Sequence, residues 1–244
     1  MPSDKYLLEL QNVTKRYQRN DPLILKDITL SVKSGDGVII MGESGSGKTT
    51  LLHIIAGMEP PGSGRILFRG ADLKEMSDSR AALLRNNEIS LCFQGQFLLS
   101  HLTILENITL PLIIRGEKRS VAREKGRKML GNLGLQQMGR RKPEMLSGGQ
   151  MQRLSLGRAL IVEPILLLAD EPTGNLDRRT ASEVIDLILE YKKNNGGAFI
   201  LVTHDEIPRT ESLRRYSLKN GNLSESPATR SPLGSNPGNI SNFS

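Results

Sequence analysis

Short apolar runs bounded by glycine or polar residues recur along the chain, a pattern typical of strands buried on both faces of a parallel sheet. Between these runs apolar residues recur at helical spacing, most clearly over 174–193, and the residues Asn194, Asn195, Gly196 and Gly197 end that helix. Strands that alternate with helices predict an α/β fold with a parallel sheet. The predicted buried strands cover 38–41, 89–93, 165–169 and 199–203.

Three regions depart from this alternation. Residues 6–33 carry short alternating strands, at 8–10 and 28–30, which predict a small antiparallel sheet. Residues 96–160 show few strand signals and are predicted to form a helical subdomain inserted between two halves of the α/β core. In 224–244, 14 of 21 residues are Ser, Pro, Gly or Asn, so we expect a disordered tail without a function of its own.

The amino-acid composition excludes only a few classes of protein. With 244 residues and 37% hydrophobic residues the chain can bury a real core, and one cysteine, Cys92, excludes an intramolecular disulfide. The net charge of +7 is compatible with phosphate, nucleic acid or anionic lipid as a partner, or with solubility alone. No leader sequence is recognised and the apolar runs are far too short to cross a bilayer, so we expect no integral membrane segment.

Residues 42–49 read Gly-Glu-Ser-Gly-Ser-Gly-Lys-Thr, the pattern of a phosphate-binding loop between a strand at 37–41 and an apolar helix over 51–56. The glycines let the backbone curl so that its N–H groups converge on phosphate oxygens at a helix N-terminus. Lys48 is predicted to neutralise the β- and γ-phosphates, and the Thr49 hydroxyl to bind Mg²⁺.

A second anchor is the apolar run 165–169, which is followed directly by two acids. Ligands of parallel sheets bind at the carboxyl ends of the strands, where Asp170 and Glu171 would lie. Asp170 is predicted to hold Mg²⁺, mostly through water, and Glu171 to polarise the attacking water.

The string Leu-Ser-Gly-Gly-Gln at 146–150 opens another apolar helix and predicts a second anion site. One chain rarely needs two cradles for a γ-phosphate, so we expect a dimer in which Ser147 of one protomer faces the ATP held by Lys48 of the other. A helix cap at Ser147 explains part of the string but not all of it.

Together these motifs resemble the nucleotide-binding subunits of ABC transporters, over residues 6–223. The resemblance also rests on Gln94, on Gly174-Asn175-Leu176-Asp177 and on His204 in Val-Thr-His-Asp. It implies an α/β fold with a RecA-like P-loop NTPase core, a small antiparallel β subdomain and an inserted helical subdomain at about 96–160. It also implies an ATP-binding domain over 1–223, and ATP and Mg²⁺ as cofactors.

The resemblance assigns roles to single residues. Tyr17 would stack on adenine, the alternative being an ordinary half-buried tyrosine on the edge sheet. Gln94 would contact Mg²⁺ and the water, or else be a solvated loop residue, and Asp177 would cross the dimer interface or simply begin a helix. The catalytic residues implied are Glu171, His204 and Gln94, and the metal ligands are Thr49, Gln94 and Asp170. The nucleotide-binding residues implied are Tyr17, Gly42, Ser44, Gly45, Ser46, Gly47, Lys48, Thr49, Thr50, Ser147, Gly148, Gly149, Gln150 and Asp177.

Residues 94–112 and 169–177 resemble the subunits of lipoprotein-release, macrolide-exporter and cell-division type ABC systems. The resemblance therefore implies a separate transmembrane permease, a second ATP-binding protomer, most simply an identical one, and a peripheral place on the cytoplasmic face of the inner membrane. No nucleic acid partner is expected.

Two other functions remain open at this stage. A non-transport ABC ATPase acting on nucleic acid or ribosomes is kept open by the charge run 115–128, with seven basic and two acidic residues. That run is also compatible with a solvated or lipid-facing surface. A regulatory ATPase that activates a cell-envelope enzyme through a membrane partner would carry the same motifs.

Two positions depart from the family pattern. The turn Gly35-Asp36-Gly37 has glycine where the family places a bulky apolar residue, so we expect a looser entry into the strand that follows. Pro208 falls in the helix expected after His204, so that helix should start late or kink. His53, His101 and Cys92 have no catalytic context, and we expect them to be structural.

Overall fold

A computed structural model describes residues 5–95, 97–174, 176–205, 207 and 213–226. The strands are β1 (Leu8–Lys15), β2 (Leu25–Val32), β3 (Gly37–Met41), β4 (Ser63–Phe68), β5 (Ala71–Asp72), β6 (Ile89–Cys92), β7 (Leu166–Asp170), β8 (Ala198–Thr203), β9 (Leu213–Lys219) and β10 (Asn222–Glu225). The helices are α1 (Lys48–Ile55), α2 (Asp78–Asn87), α3 (Ile104–Ile114), α4 (Arg119–Asn132), α5 (Gly148–Leu160) and α6 (Arg178–Asn195).

The four strands predicted from apolar runs lie side by side in one six-stranded sheet. Its order is β10-β9-β3-β8-β7-β6, with all neighbours parallel except the β9–β10 hairpin. The carboxyl ends of β3 and β8 coincide, since Met41 is paired with Thr203, and Asp170 at the end of β7 is paired with Val202. This register brings three chemically distinct segments of the chain to one edge of the sheet.

Alternate residues of the central strands pack into two different hydrophobic clusters, one on each face of the sheet. Val38 and Ile40 of β3 pack with α1 and the antiparallel strands, whereas Ile39 packs with α5 and α6. Cys92 lies in the second cluster, as expected for a small buried apolar residue. The α/β core is therefore a three-layer structure.

The antiparallel sheet predicted at 6–33 is present and is larger than expected. Its order is β2-β1-β4-β5, and β1 lies antiparallel to both β2 and β4. The sequence reasoning missed β4 and β5, because Ser63, Gly64 and Arg65 at the start of β4 are exposed and give no apolar alternation.

The helices α3, α4 and α5 pack around a third hydrophobic cluster, with Ile108, Leu130 and Leu154 among its fully buried members. Capping boxes fix where α3 and α5 begin, one made by Thr103 with Glu106 and the other by Ser147 with Gln150. The helical part thus has a core of its own beside the α/β core.

Three predicted boundaries need correction. The helix after the phosphate loop begins at Lys48 and not at residue 51. Helix α6 begins at Arg178 and not at residue 174, because the Asp177 carboxylate accepts hydrogen bonds from the N–H groups of Arg179 and Thr180 and so caps it. The expected tail from residue 224 starts too early, because β10 continues to Glu225. Pro208 and residues 227–244 lie outside the described residues.

The expected loosening at Gly37 is wrong. Strand β3 begins at Gly37 itself and pairs from that residue with Phe199 on one side and Leu213 on the other. A Cβ atom at Gly37 would lie 2.4 Å from Leu213 Cδ2 and 2.8 Å from a Phe199 ring carbon. The side chains of Leu213 and Phe199 fill the space that a larger residue would need. Because Gly37 has no side chain, the three strands can pack closely at this point.

In the part of the chain that the structure describes, no helix combines the length and the apolar character needed to cross a membrane.

We expect Gly37→Ala to lower the free energy of unfolding by about 1–3 kcal/mol, because the new methyl group would overpack the contact with Leu213 and Phe199. Gly131→Ala is the matched control, since a Cβ at Gly131 within α4 meets nothing within 4 Å. Alanine there should be neutral or stabilise by up to about 1 kcal/mol. Urea denaturation measures both variants, and an equal stability of Gly37→Ala and the wild type would contradict the packing argument.

Candidate active site

The loop 42–47 turns tightly between β3 and the first residue of α1, and its glycines are required for two different reasons. Gly45 and Gly47 have φ angles of 79° and 101°, which are open mainly to glycine. Gly42 has no such angle, but a Cβ there would lie 2.5 Å from the Leu218 carbonyl oxygen. Ser44 is exposed, and the buried Ser46 hydroxyl has no hydrogen-bond partner among the described residues.

The Lys48 side chain is buried and folds back into the loop that precedes it. Its Nζ donates hydrogen bonds to the carbonyl oxygens of Gly42, at 2.7 Å, and Glu43, at 3.0 Å. The same ammonium lies 3.2 Å from Glu171 Oε1, and both side chains are only 7% exposed. Loop and strand end are therefore joined by a buried ion pair.

Glu171 follows β7 in a left-handed backbone conformation, with φ of 46°. Its other carboxylate oxygen, Oε2, accepts a hydrogen bond from the His204 backbone N–H at 3.1 Å and lies 2.9 Å from His204 Nδ1. Such strained residues concentrate at functional sites and persist because their surroundings hold them. Here the holding contacts come from Lys48, His204 and the Glu171 N–H, which donates to the Val202 carbonyl oxygen.

These contacts set the charge state of the cluster. Burial alone would raise the pKa of Glu171, but hydrogen bonds from His204 and Lys48 outweigh it and hold that pKa below the usual value. The hydrogen bond to Glu171, followed by the charge of that carboxylate, raises the pKa of His204. The arrangement favours an ionised Glu171 between the Lys48 ammonium and the His204 imidazole.

Asp170, the last residue of β7, lies beside this cluster. Burial raises the pKa of its carboxyl group, and the nearby Glu171 charge adds to that effect, whereas a hydrogen bond with the Thr49 side chain opposes it. Its Oδ1 atom is buried without a hydrogen-bond partner among the described residues. A carboxylate oxygen and a threonine hydroxyl are both oxygen donors of the kind that Mg²⁺ prefers.

Tyr17 lies two residues beyond the end of β1 and is 56% exposed, so it is not the half-buried tyrosine of an edge strand. Its hydroxyl is 3.1 Å from Thr50 Oγ1 of α1, and the Lys15 ammonium lies 5.3 Å from its ring centroid. Lys15 in turn forms an ion pair with Glu59, in which Nζ lies 3.3 Å from Oε2. The sequence analysis missed Lys15 and Glu59, because they are paired across 44 residues and belong to no motif.

Gln94 lies just beyond β6 with an exposed side chain. Its Nε2 atom would be 3.9 Å from a Cβ on Gly174, which places it beside the turn that carries Glu171. Next to it, the ring of Phe93 packs edge-on against the rings of Phe97 and His53. The ring centroids are 5.5 Å and 6.1 Å apart, respectively.

Residues 146–150, here called the signature turn, lie on the helical part and not among the residues around Lys48. The Ser147 hydroxyl accepts a hydrogen bond from the Gln150 N–H, and the Gln150 side chain accepts one from the Ser147 N–H. Ser147 and Gly148 are exposed, whereas a Cβ on Gly149 would lie 2.4 Å from Thr180 Cγ2. The Thr180 hydroxyl donates to Asp177 at 2.7 Å, so the signature turn packs against the start of α6.

The structure thus brings together ten of the eighteen expected site residues, namely Gly42, Ser44, Gly45, Ser46, Gly47, Lys48, Thr49, Asp170, Glu171 and His204. Tyr17 with Thr50 lies at one border of this group, and Gln94 lies beside the Glu171 turn. Ser147, Gly148, Gly149, Gln150 and Asp177 form a second group on α5 and α6. The contact between Gly149 and Thr180 could not be found from the sequence, because no spacing rule joins the two positions.

A sequence profile described as ABC transporter matches residues 25–174, more than half of the chain. Among solved structures, a dimeric post-hydrolysis state of the ATP-binding cassette MJ0796 bound to ADP and Pi is 32% identical, with a TM-score of 0.79 over 89% of this chain and 98% of that one. A second dimeric structure of MJ0796, a bacterial ABC transporter cassette, is 33% identical, with the same TM-score and coverage.

A third similar structure is cbiO1 from Clostridium perfringens, part of the ABC transporter complex cbiONQ. It is 28% identical, with a TM-score of 0.81 over 90% of this chain and 87% of that one. These matches extend over the RecA-like core, the antiparallel sheet and the helical part described above. The chain therefore belongs to the ABC transporter family and is one of its ATP-binding cassettes, an ATPase.

Proposed function

We propose that two copies of this chain close around two ATP molecules and hydrolyse them to drive a separate membrane permease of the lipoprotein-release, macrolide-exporter or cell-division type. The observation that carries the proposal is the group formed by Lys48, Glu171 and His204 at the mouth of the phosphate loop, in which the Lys48–Glu171 ion pair is buried and the His204 ring is exposed. It supplies a cation for the phosphates, an ionised acid for the attacking water and a hydrogen-bonding imidazole, all at the end of the sheet where ligands bind.

In the proposed bound state, the N–H groups of the loop 42–47 and the start of α1 bind the phosphate oxygens, and Lys48 turns from Glu171 to the β- and γ-phosphates. Thr49 and Asp170 would hold Mg²⁺, with Gln94 as a further ligand, and the fit rests on the unpartnered Asp170 Oδ1. When bound, the ion would neutralise charge that develops on the phosphates. Tyr17 would stack on adenine from a position fixed by Thr50 and Lys15.

Glu171 is the proposed acceptor for the attacking water. Its carboxylate is ionised, as its lowered pKa indicates, and it loses one partner when Lys48 moves to the phosphates. Glu171 then accepts a hydrogen bond from the water and orients it toward the γ-phosphorus, and His204 remains beside it to contact the γ-phosphate. Without ATP, Lys48 and Glu171 neutralise each other's charge. Binding of ATP would separate them and so free Glu171 for the water.

A second protomer is proposed because the signature turn has an exposed anion-binding end. Ser147 and Gly148 stand at the N-terminus of the 13-residue helix α5, and a Cβ on Gly148 would meet nothing within 4 Å. In the dimer these residues would face the ATP held by Lys48 of the other protomer, and Asp177 would lie at the same interface. The dimeric state of MJ0796 supports this arrangement.

The proposed permease contact is the loop after Gln94. Phe97 and Leu99 are 69% and 36% exposed there, and Arg158 of α5 donates to the Phe97 carbonyl oxygen at 2.8 Å. A permease docked on this loop would thus be linked through α5 to the signature turn. We place the chain on the cytoplasmic face of the inner membrane as a peripheral subunit, with export or force transmission as its task.

Domain limits follow from the same proposal. The ATP-binding domain would extend from residue 1 to about residue 225, rather than 223, with a helical subdomain over about 96–160.

Glu171→Gln should retain ATP binding but lower the rate of hydrolysis by roughly 10²-fold or more, because a positioned acid–base group contributes that order of rate. Steady-state phosphate release and nucleotide binding measure the two effects separately. Glu190→Gln, the same change on the exposed side of α6, is the control and should leave both unchanged. Hydrolysis by Glu171→Gln at the wild-type rate would remove Glu171 from its proposed role.

Tyr17→Ala should raise the Kd for ATP roughly 5- to 100-fold, since stacking of a base on an aromatic ring contributes about 1–3 kcal/mol. Tyr17→Phe keeps the ring and loses only the hydrogen bond to Thr50, so it should bind ATP almost as tightly as the wild type. Isothermal titration with the Tyr17→Ala and Tyr17→Phe variants tests this. If both variants bind ATP equally well, adenine does not stack on this ring.

The contact between His204 and Glu171 should make stability depend on pH. The His204 pKa is raised on folding, so its contribution is complete below the unfolded pKa, about 6.5, and disappears as pH rises through the folded pKa. The Glu171 pKa is lowered on folding, so its contribution is complete above about 4.5 and disappears as pH falls through the folded pKa.

The difference in unfolding free energy between the wild type and His204→Gln should therefore be largest between about pH 4.5 and pH 6.5. It should shrink in alkaline solution. Denaturant titrations across this range measure it, and a difference that grows with rising pH would show that the two groups do not interact as described.

A further inference from the structure

The positive charge of this protein is concentrated in one short segment. Residues 115–142 contain ten Lys and Arg against two Asp and Glu, a local net charge of +8, while the whole chain carries +7. The other 216 residues together are close to neutral, at −1. This asymmetry is not needed for ATP binding, because the phosphate loop and Glu171 lie outside the segment.

Helix α4 carries half of these basic residues, five of ten, on its outer surface. Ala122, Gly126 and Leu130, spaced four residues apart, form the buried ridge that packs inward. Basic residues at four- and three-residue spacing flank the ridge on both sides, and all of them are exposed. They are Arg119, Arg123 and Arg127 on one side and Lys125 and Lys128 on the other. A 14-residue helix is about 21 Å long, so the charges cover an extended strip.

The loop 139–142, which carries three further basic residues, is hydrogen-bonded to the first turn of α3. The Leu105 N–H donates to the Gly139 carbonyl oxygen at 3.0 Å, and the Ile104 N–H donates to that of Arg141 at 2.9 Å. A Cβ on Gly139 would lie 3.2 Å from Leu130 Cδ1, so the loop 139–142 also borders α4. We call this surface the basic face: Lys118, Arg119, Arg123, Lys125, Arg127, Lys128, Arg140, Arg141 and Lys142.

Little of this charge is neutralised within the protein. Within the described ranges, the only ion pair recorded for the basic face joins Lys125 to Glu117, at 2.8 Å. Arg115 is excluded from the face, because its guanidinium is engaged by the carbonyl oxygens of Asn86 and Val162.

The residues beside the basic face favour a lipid surface over nucleic acid. Ile114 and Val121, on either side of the α3–α4 turn, are 66% and 40% exposed. Apolar side chains next to Lys and Arg are typical of surfaces that lie at the headgroup level of a membrane. The segment 115–142 contains no aromatic residue, whereas binding of single-stranded nucleic acid depends on stacking on aromatic rings.

We propose that the basic face binds the anionic lipid headgroups of a membrane surface, with Ile114 and Val121 contacting the interfacial region. The proposal rests on the charge and exposure of these residues. It does not depend on the proposed permease or on ATP hydrolysis.

The test is flotation of the full chain with phosphatidylcholine vesicles and with vesicles that also contain phosphatidylglycerol. Binding should require the anionic lipid and should weaken as salt is raised. A triple variant, Arg123→Gln, Arg127→Gln and Arg140→Gln, should bind the anionic vesicles roughly 10²-fold more weakly, at about fivefold per charge. The matched control removes three exposed charges outside the basic face, by Arg65→Gln in β4, Lys74→Gln in the turn after β5 and Arg80→Gln in α2, and should bind like the wild type.

Three results would overturn the proposal. Binding that is absent, or equal for neutral and anionic vesicles, would show that the headgroup charge is not recognised. Equal weakening in the control triple would show that only the total charge matters. Tighter binding to a single-stranded oligonucleotide than to anionic vesicles would assign the basic face to nucleic acid. ATPase activity, measured in parallel, shows that each triple variant is folded.

Discussion

The buried ion pair between Lys48 and Glu171 is the interaction around which the rest of the site is built. It joins the phosphate loop after β3 to the end of β7, two segments more than 120 residues apart. Breaking a buried pair by removal of one partner typically costs about 3–5 kcal/mol, because the remaining charge is left uncompensated. The pair therefore leaves neither charge uncompensated inside the protein, and in the proposed bound state a polyphosphate replaces Glu171 as the partner of Lys48.

The surroundings of this pair explain several otherwise separate features. The left-handed backbone at Glu171 directs its carboxylate toward both Lys48 and the His204 N–H. Thr173 fastens the turn after Glu171, because its hydroxyl donates to Asp205, whose own N–H donates to Thr203. The ends of β7 and β8 are thus linked by side chains beyond the point where the sheet itself stops. The turn that carries Glu171 is thus held by side-chain contacts on both sides.

The sequence was sufficient for the α/β class and for the group of residues around Lys48, because apolar runs and motif spacing are local signals. The sequence was insufficient for those features that depend on contacts between residues far apart along the chain. Strand β4 lacks alternation and exists because β1 pairs with it, and Gly37 is tightly packed because Phe199 and Leu213 converge on it from distant strands. The role of Lys15 beneath Tyr17 depends on Glu59 in the same way. Contacts across tens of residues leave no periodic trace in the sequence.

The Arg115 side chain joins the helical part to the α/β core. The helical part has its own hydrophobic cluster, and Arg115 at the end of α3 binds the carbonyl oxygens of Asn86, which precedes β6, and Val162, which precedes β7. The Arg115 side chain thus connects the end of α3 to the two segments that lead into β6 and β7. Because Arg158 of α5 binds the Phe97 carbonyl oxygen, any rotation of the helical part about the Arg115 contact would move the Phe97 loop and the signature turn together.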